Sequence, residues 1–192
     1  MSQSEVQANG SVIKGDWRFL ERAIGHSGNA VEPEDHEVLY RLHRQMFPRD
    51  RAVFVHEGLW WIIDAVRRKA YKDFLADKPW KYGRDRQEAA FCGLVPFYQY
   101  TDELGYFIRA GVCQEFRGAG IQRSMIRLRE EAARAKGWWG CVTTTYCNPA
   151  SSNNLIEEGW RQYQPVTPWM TQGTQYWRKV LNPDDPRVRS IL

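Results

Sequence analysis

The stretch Tyr106–Lys136, YFIRAGVCQEFRGAGIQRSMIRLREEAARAK, decides the fold of this chain. Its first part is apolar and ends at Val112–Cys113, and its last part repeats apolar or small residues at helical spacing. This order predicts a strand, a glycine loop and a helix. Because Gly118 and Gly120 carry no Cβ atom, backbone N–H groups of the loop can converge on an anion at the positive end of the helix. The predicted ligand is a phosphate, with an ordinary tight turn as the alternative.

Residues on both sides of the loop add further patterns. Arg117–Gln122 reads RGAGIQ, and Asn148–Trp160 reads NPASSNNLIEEGW. Together with the closing segment Tyr176–Leu181 they resemble the GNAT superfamily of acyl-CoA-dependent N-acyltransferases. The signature of that family is Arg or Gln followed by x-x-G-x-G/A between the fourth strand and the third helix. Gln122 departs from the signature, because family members usually carry Gly or Ala there. The resemblance extends from about Trp17 to Leu181.

The resemblance implies an α/β fold of the GNAT type, with a mixed, mainly antiparallel central sheet flanked by helices. The sheet is expected to splay open between strands 4 and 5. Apolar patterns predict strands at 16–23, 59–66, 88–98, 138–145 and 176–181. A further strand, the fourth in chain order, is predicted to end at Val112–Cys113. Helices are predicted from Asp35 to Met46, from Ile121 to about Lys136, and after Asn148 as far as Gly159. The segment Thr101–Glu103 is predicted to be a turn.

The length of 192 residues fits one domain. We predict a mobile tail over 1–15, one acetyltransferase-like domain over 16–181 and a surface tail over 182–192. No apolar run approaches the length that crosses a bilayer, and the first residues show no secretory signal, so a cytoplasmic protein without membrane insertion is expected. The four cysteines lie in or beside apolar segments without a CxxC pair. This predicts reduced, mostly buried thiols and no metal site.

Acetyl-CoA is the co-substrate that the resemblance implies. Main-chain groups of the fourth strand would hold the pantetheine, the loop and the start of the third helix would hold the pyrophosphate, and the fourth helix would add contacts. The residues in these positions are Ala110, Gly111, Val112, Arg117, Gly118, Ala119, Gly120, Ile121, Gln122, Asn148 and Asn154.

The chemistry that the resemblance implies is direct attack of an amine on the thioester, without a covalent enzyme intermediate. Family members frequently use a Tyr on the fourth helix to protonate the leaving thiolate, and this chain has Leu155 there. Ser152 first, and Tyr146 second, are the candidates to replace it. The general base is left open among Glu88, Asp102, Glu103, Tyr106 and a water chain.

Arg109 interrupts an otherwise apolar strand. A guanidinium is expensive to bury without a partner, so it pairs either with an internal carboxylate, Asp64 or Glu88, or with a carboxylate of the substrate. The second alternative would make the acceptor an amino acid or another acidic amine.

The segment 67–87 carries eight basic and three acidic residues, a net charge of +5 against +4 for the whole chain. It is either a solvated excursion between strands or an electropositive lip for CoA phosphates, an acidic substrate or nucleic acid. Aromatic residues between the charges keep a nucleic-acid role open. Because no recognised nucleic-acid motif accompanies a modest charge, we expect no appreciable polynucleotide binding.

Two classes of function therefore follow from the sequence. The first is an N-acetyltransferase whose acceptor is a primary amine, either a small molecule or an amino-acid-like compound. The second is a catalytically weak or inactive protein of the same fold that binds nucleic acid or a protein partner through 67–87. The oligomeric state is left open, with a homodimer as one alternative.

Overall fold

The computed structural model describes residues 13–14, 17–24, 33–51, 58–67, 70, 86–98 and 101–187. Within these ranges, eight strands form one sheet in the order β1-β2-β3-β4-β5-β6-β8-β7. The strands are β1 (Ile13–Lys14), β2 (Trp17–Ile24), β3 (Leu59–Arg67), β4 (Arg86–Phe97), β5 (Thr101–Val112), β6 (Gly140–Thr145), β7 (Arg161–Tyr163) and β8 (Gln175–Val180). The helices are α1 (Pro33–Met46), α2 (Ile121–Ala135) and α3 (Pro149–Glu157), with a short 3₁₀-helix over Gln114–Phe116.

The sheet is mixed and mainly antiparallel. β2 pairs antiparallel with β1 and β3, and β8 pairs antiparallel with β6 and β7, whereas β5 and β6 are parallel. The predicted fold class is therefore confirmed. In the part of the chain that the structure describes, no helix is both long and apolar enough to span a membrane.

The described residues fall into two compact units. The first consists of the described part of Met1–Cys92 together with Gly111–Ile121, and the second of Gly93–Ala110 together with the described part of Gln122–Leu192. β4 and β5 contribute residues to both units. The single domain over 16–181 stays a prediction.

Most elements lie where the sequence pattern predicts them. The helix expected from Asp35 begins slightly earlier, at Pro33, and ends at Met46. The predicted turn at Thr101–Glu103 is wrong, because β5 already begins at Thr101. These polar residues are part of the strand, and the backbone carbonyl of Glu103 accepts a hydrogen bond from the N–H of Trp139 at 3.3 Å. β1 and β7 were not predicted, because two or three residues are too few to show a period.

The core of the first unit is built around β3. Its run Leu59–Val66 is apolar almost throughout, as predicted for a strand that is buried on both faces, and Trp60, Ile62 and Val66 are inaccessible to solvent. The buried ring of His43, in α1, lies 5.2 Å from that of Phe47, measured between ring centroids.

Three of the four cysteines, Cys92, Cys113 and Cys141, are buried, while Cys147 is exposed. Burial raises the pKa of Cys113 to about 11.

In the second unit α2 and α3 end in the same way. Gly137 follows α2 with φ 72°, and Gly159 follows α3 with φ 81°. After each glycine the next residue donates its N–H to a carbonyl five residues earlier, from Trp138 to Ala133 at 3.0 Å and from Trp160 to Leu155 at 2.9 Å. This is the Schellman arrangement, which needs a left-handed residue that glycine adopts without strain. Both predicted helix ends are confirmed.

An ion pair holds the middle of α2 to β8. The buried Glu130 accepts hydrogen bonds from Lys179 at 2.7 and 2.8 Å and from the indole of Trp160 at 2.8 Å. Because a carboxylate away from water needs donors for both oxygens, this set of contacts gives α2 a defined position on the sheet of its unit.

Candidate functional site

β5 and β6 part after a short stretch of pairing. Leu104, Gly105 and Tyr106 face Gly140, Cys141 and Val142. Beyond Tyr106 the ladder between these two strands stops, although β5 continues to Val112 and β6 to Thr145. The hydroxyl of Thr143 donates to the Phe107 carbonyl at 3.0 Å in place of a backbone bond. β5 and β6 are the predicted fourth and fifth strands, so the predicted splay is confirmed.

Arg109 lies in the part of β5 that has left β6, with a left-handed φ of 44°. A non-glycine residue held there stores on the order of 1–3 kcal/mol of strain. Of the two carboxylates predicted as partners, Asp64 binds Arg86 and Arg22, and Glu88 binds Arg41 at 2.9 Å. Burial raises the pKa of Asp64, and the hydrogen bond from Arg86 opposes that effect. The choice between an internal and a substrate carboxylate for Arg109 stays a prediction.

The glycine at 111 has a packing reason. A Cβ atom added to Gly111 would overlap the Met46 sulfur and lie 3.1 Å from Phe47 and 3.3 Å from Phe91. Glycine therefore lets the end of α1 approach β5 closely. The proposed main-chain contacts of Ala110, Gly111 and Val112 with pantetheine stay a prediction.

The start of the glycine loop is anchored by aromatic residues. Phe116, in the 3₁₀-helix that follows β5, is buried and meets Trp17 and Phe19 of β2 edge to face, with ring centroids 5.6 and 5.9 Å apart. The guanidinium of Arg67 lies 4.1 Å above the Trp17 ring. These contacts hold the base of the loop in place from β2.

The loop itself alternates between buried and exposed residues. Ala119 and Ile121 are buried, whereas Gly118 and Gly120 are exposed with φ of 77° and 76°. Arg117 folds back and donates from Nε to the Val112 carbonyl at 3.3 Å. Within the described chain, the N–H groups of Gly118, Ala119 and Gly120 donate no hydrogen bond. The loop therefore offers unused donors directly before α2, an arrangement that suits an anion.

Gln122 has a role that its departure from the family signature did not reveal. Its Nε2 donates to the Ser151 hydroxyl at 2.7 Å, and its Oε1 accepts from Asn154 Nδ2 at 2.9 Å. As predicted, Asn148 caps α3, because its Oδ1 accepts the N–H of Ser151 at 3.1 Å. The first turn of α2 is thus tied to the first turn of α3. The long side chain of Gln122 is occupied by this link.

Ser152 is the buried member of a hydroxyl network, with 8% of its surface exposed. Its hydroxyl lies 3.0 Å from that of Thr145 and donates to Gln175 Oε1 at 3.0 Å. Thr145 also accepts the indole N–H of Trp177 at 2.9 Å. In either direction of the Ser152–Thr145 bond the serine proton is used within the network.

Tyr146, the second predicted acid, has a different environment. It is 61% exposed at the end of β6. A Cβ added to Gly173 would lie 3.4 Å from its ring, so the ring lies beside that glycine. Within the described residues its hydroxyl has no hydrogen-bond partner. Leu155, at the position where the family frequently has Tyr, is buried.

Three of the predicted bases have polar partners of their own. Glu88 binds Arg41, Glu103 binds Arg187, and the Tyr106 hydroxyl lies 3.4 Å from that of Thr144. The side chain of Asp102 and most of the basic segment 67–87 lie outside the described residues. The general base therefore stays open.

The chain was compared with protein families, curated proteins and solved structures. No family model and no curated protein matches the chain. Among solved structures, it is similar to an IAA acetyltransferase from Bacillus cereus ATCC 14579, with 13% identity, a TM-score of 0.57, and coverage of 84% of this chain and 99% of that one. Mutant forms of the spermidine/spermine N-acetyltransferase from Vibrio cholerae match with 10% identity and a TM-score of 0.58 over 85% and 94% of the two chains.

A ribosomal-protein alanine N-acetyltransferase from Escherichia coli matches with 11% identity and a TM-score of 0.55 over 87% of this chain and 97% of that one. At such identities the likeness concerns the fold. The chain therefore has the fold of the GNAT N-acetyltransferases, as the sequence resemblance implied.

Proposed function

We propose that the protein transfers an acetyl group from acetyl-CoA to a primary amine. The observation that carries the proposal is the parting of β5 from β6 after Tyr106. Beyond Tyr106 the backbone ladder between the two strands stops, although both strands continue. An extended molecule with amide groups, such as the pantetheine arm of CoA, can take the place of the missing strand.

The loop over Arg117–Gly120 supports the phosphate-binding part of the proposal. Its N–H groups from Gly118 to Gly120 donate to no other described group, and α2 begins directly after them. A pyrophosphate there would satisfy these donors and gain from the positive end of the helix.

The reaction needs a neutral amine. Its nitrogen attacks the thioester carbon, a C–N bond forms, the C–S bond breaks, and the proton lost from nitrogen balances the one that the CoA thiolate takes up. Of the two predicted acids we favour Tyr146, because its hydroxyl is exposed, whereas the proton of Ser152 is used inside its network.

Two measurements test the proposal. Acetyl-CoA at a hundred times its dissociation constant should stabilise the folded protein by about 2.7 kcal/mol in thermal or urea unfolding. Release of free CoA thiol should then depend on an added primary amine. A protein that acetyl-CoA does not stabilise, and that releases no thiol with any amine, would contradict the proposal. The alternative binding role of 67–87 has no supporting observation in the described residues.

A further inference from the structure

The sheet of the second unit has two faces of different chemistry. On one face the Thr145 hydroxyl lies 3.0 Å from that of Ser152 of α3 and accepts the indole N–H of Trp177 at 2.9 Å. The opposite face, here called the aromatic face, consists of Phe97, Tyr106, Tyr163, Trp169 and Tyr176. Register places Tyr176 opposite Thr144 and Tyr163. Ring centroids are 5.4 Å apart for Phe97 and Tyr106, 4.8 Å for Phe97 and Trp169, and 4.6 Å for Trp169 and Tyr176.

Part of the aromatic face is accessible to solvent. Tyr106, Tyr163 and Trp169 are only partly buried. Trp169 belongs to the loop between β7 and β8, and the Tyr176 hydroxyl fixes this loop by accepting the N–H of Met170 at 3.0 Å. The Met170 side chain is 47% exposed. Tyr106, Tyr163 and Trp169 pack against a buried hydrophobic cluster that includes Phe97, so these three rings form the accessible edge of that cluster.

The aromatic face begins where β5 leaves β6. Tyr106 is the last residue of β5 that pairs with β6, and its hydroxyl lies 3.4 Å from that of Thr144. Tyr146 follows Thr144 by two residues, directly after the same strand ends, and is exposed. A molecule that packs on the aromatic face therefore has one end at the gap in which we place the thioester.

The charge of this region restricts what can bind. Among the described side chains, the aromatic face and its neighbours Thr144, Tyr146, Met170 and Arg178 include no carboxylate, and the side chain of Asp102 in β5 lies outside the described residues. The cation among them, Arg178, lies 5.2 Å from the centroid of the Tyr163 ring. A polyamine brings two or more ammonium groups, each of which needs a negative partner once water is removed. A single amine on an aromatic body avoids that penalty and gains ring contacts.

We infer that the acceptor is a monoamine carried on an aromatic body, whose ring packs on Tyr106 and Trp169 while its amino group reaches the gap between β5 and β6. The inference rests on the proposed function. The reaction is the acetyl transfer described above, with the amine nitrogen replacing the CoA sulfur on the acetyl carbon.

The first experiment compares acceptors at saturating acetyl-CoA. Thiol release is measured with tyramine and phenethylamine as aromatic monoamines, n-butylamine as an apolar amine without a ring, and putrescine and spermidine as polyamines. We expect kcat/KM for tyramine to exceed that for spermidine at least tenfold. Equal or better turnover of spermidine would overturn the inference while supporting the proposed function.

The second experiment moves a charge. Met170→Asp adds a carboxylate beside the aromatic face and should lower kcat/KM for tyramine severalfold while raising it for spermidine. The matched control is Val166→Asp in the same loop, since Val166 is 101% exposed and contacts none of the rings. We expect the control to keep the preference of the wild type. Equal effects of both variants would show a general charge effect and contradict the assignment.

The third experiment removes a ring. Trp169→Ala should raise KM for tyramine with little effect on n-butylamine, and Trp169→Phe should restore most of the difference. If Trp169→Ala fails to fold, the Met170→Asp comparison still decides. A change in sedimentation without a change in KM would identify the face as a contact between two copies of the chain and overturn the inference.

Failure of the inference can be told apart from failure of the proposed function. Calorimetric binding of acetyl-CoA tests the proposed function alone. If acetyl-CoA binds but no amine is turned over, titration of tyramine into the CoA complex decides the inference. Binding that Met170→Asp weakens and Val166→Asp leaves unchanged would support it, and no binding would overturn it.

Discussion

Helix α2 has a glycine with left-handed backbone at each end, Gly120 before it and Gly137 after it, with φ of 76° and 72°. Both glycines are exposed, but the backbone N–H groups around them differ in their hydrogen bonding. At the far end the N–H groups of Gly137 and Trp138 close the helix on carbonyls of its last turn at 2.9 and 3.0 Å. At the near end the N–H groups of Gly118, Ala119 and Gly120 have no acceptor among the described residues. The same residue thus ends a helix in one place and leaves donors for a ligand in the other.

Adding a negative charge at each end should separate these roles with the largest effect. Gly120→Asp places a carboxylate beside the unused donors and should weaken acetyl-CoA binding at least tenfold, about 1.4 kcal/mol, through like-charge repulsion. Gly137→Asp carries the same charge and a similar backbone strain at the other end, and its affinity should stay within twofold of the wild type. Isothermal calorimetry on both folded variants measures the difference. Unchanged affinity in Gly120→Asp would show that phosphates do not bind at this loop.

The first turn of α2 is also attached to α3, and the contribution of this attachment to stability can be measured separately from ligand binding. Gln122→Ala removes the hydrogen bonds to Ser151 and Asn154 and should lower the free energy of unfolding by about 1 kcal/mol. It also restores a small residue that the family signature allows, so acetyl-CoA affinity should change less than threefold. Urea unfolding and calorimetry measure the two quantities, and Asn154→Ala serves as the partner in a double-mutant cycle. A large loss of affinity with unchanged stability would mean that Gln122 touches the ligand.

Low pH should weaken the attachment of α2 to α3, with a smaller effect than the loss of the Gln122 side chain. Glu158, after α3, accepts hydrogen bonds from Arg127 and from Arg123 at 2.8 Å. The hydrogen bond from Arg127, ahead of the one from Arg123, lowers the pKa of Glu158 below its ordinary value of 4.5. A lowered carboxyl pKa stabilises the folded state above pH 4.5, and this contribution is lost as the pH falls through the folded pKa. Urea unfolding between about pH 3 and 6 should show a steeper loss for the wild type than for Glu158→Gln.

The smallest effect concerns the basic segment 67–87, which should not bind polynucleotide at physiological salt. Reversal of Lys78, Lys81 and Arg84 to Glu should therefore leave the fluorescence anisotropy of a labelled polynucleotide unchanged. Arg86 is kept, because it binds the buried Asp64 and its reversal would disturb the fold. Tight binding by the wild type with a steep salt dependence, lost in the variant, would instead favour the alternative function.

Much of this architecture was predictable from the sequence because its signals are local. The loop glycines, the Asn148 cap with Pro149 behind it, and the glycines after α2 and α3 each act within a few residues, so spacing alone indicates where a helix begins or ends. The apolar run of β3 predicted a buried strand for the same reason. Where polar residues belong to a strand, as at Thr101–Glu103, local propensity predicted a turn and the strand's own hydrogen bonds decided otherwise.

The site depends on residues far apart in the chain, and only the tertiary structure could decide it. The sequence placed Ser152 and Tyr146 near each other along the chain, but burial and the contact with Gln175 separate their roles. From the sequence Gln122 is only a departure from the family signature, and its hydrogen bonds to Ser151 and Asn154 appear only in the fold. The aromatic face joins Phe97 to Trp169 across 72 positions, a pairing that no local pattern encodes. Backbone preferences act between residues that are neighbours in the chain, so the sequence by itself determined the helix ends and the buried strand. Packing and hydrogen-bond partners are set only when distant segments meet, so the site was decided by the tertiary structure.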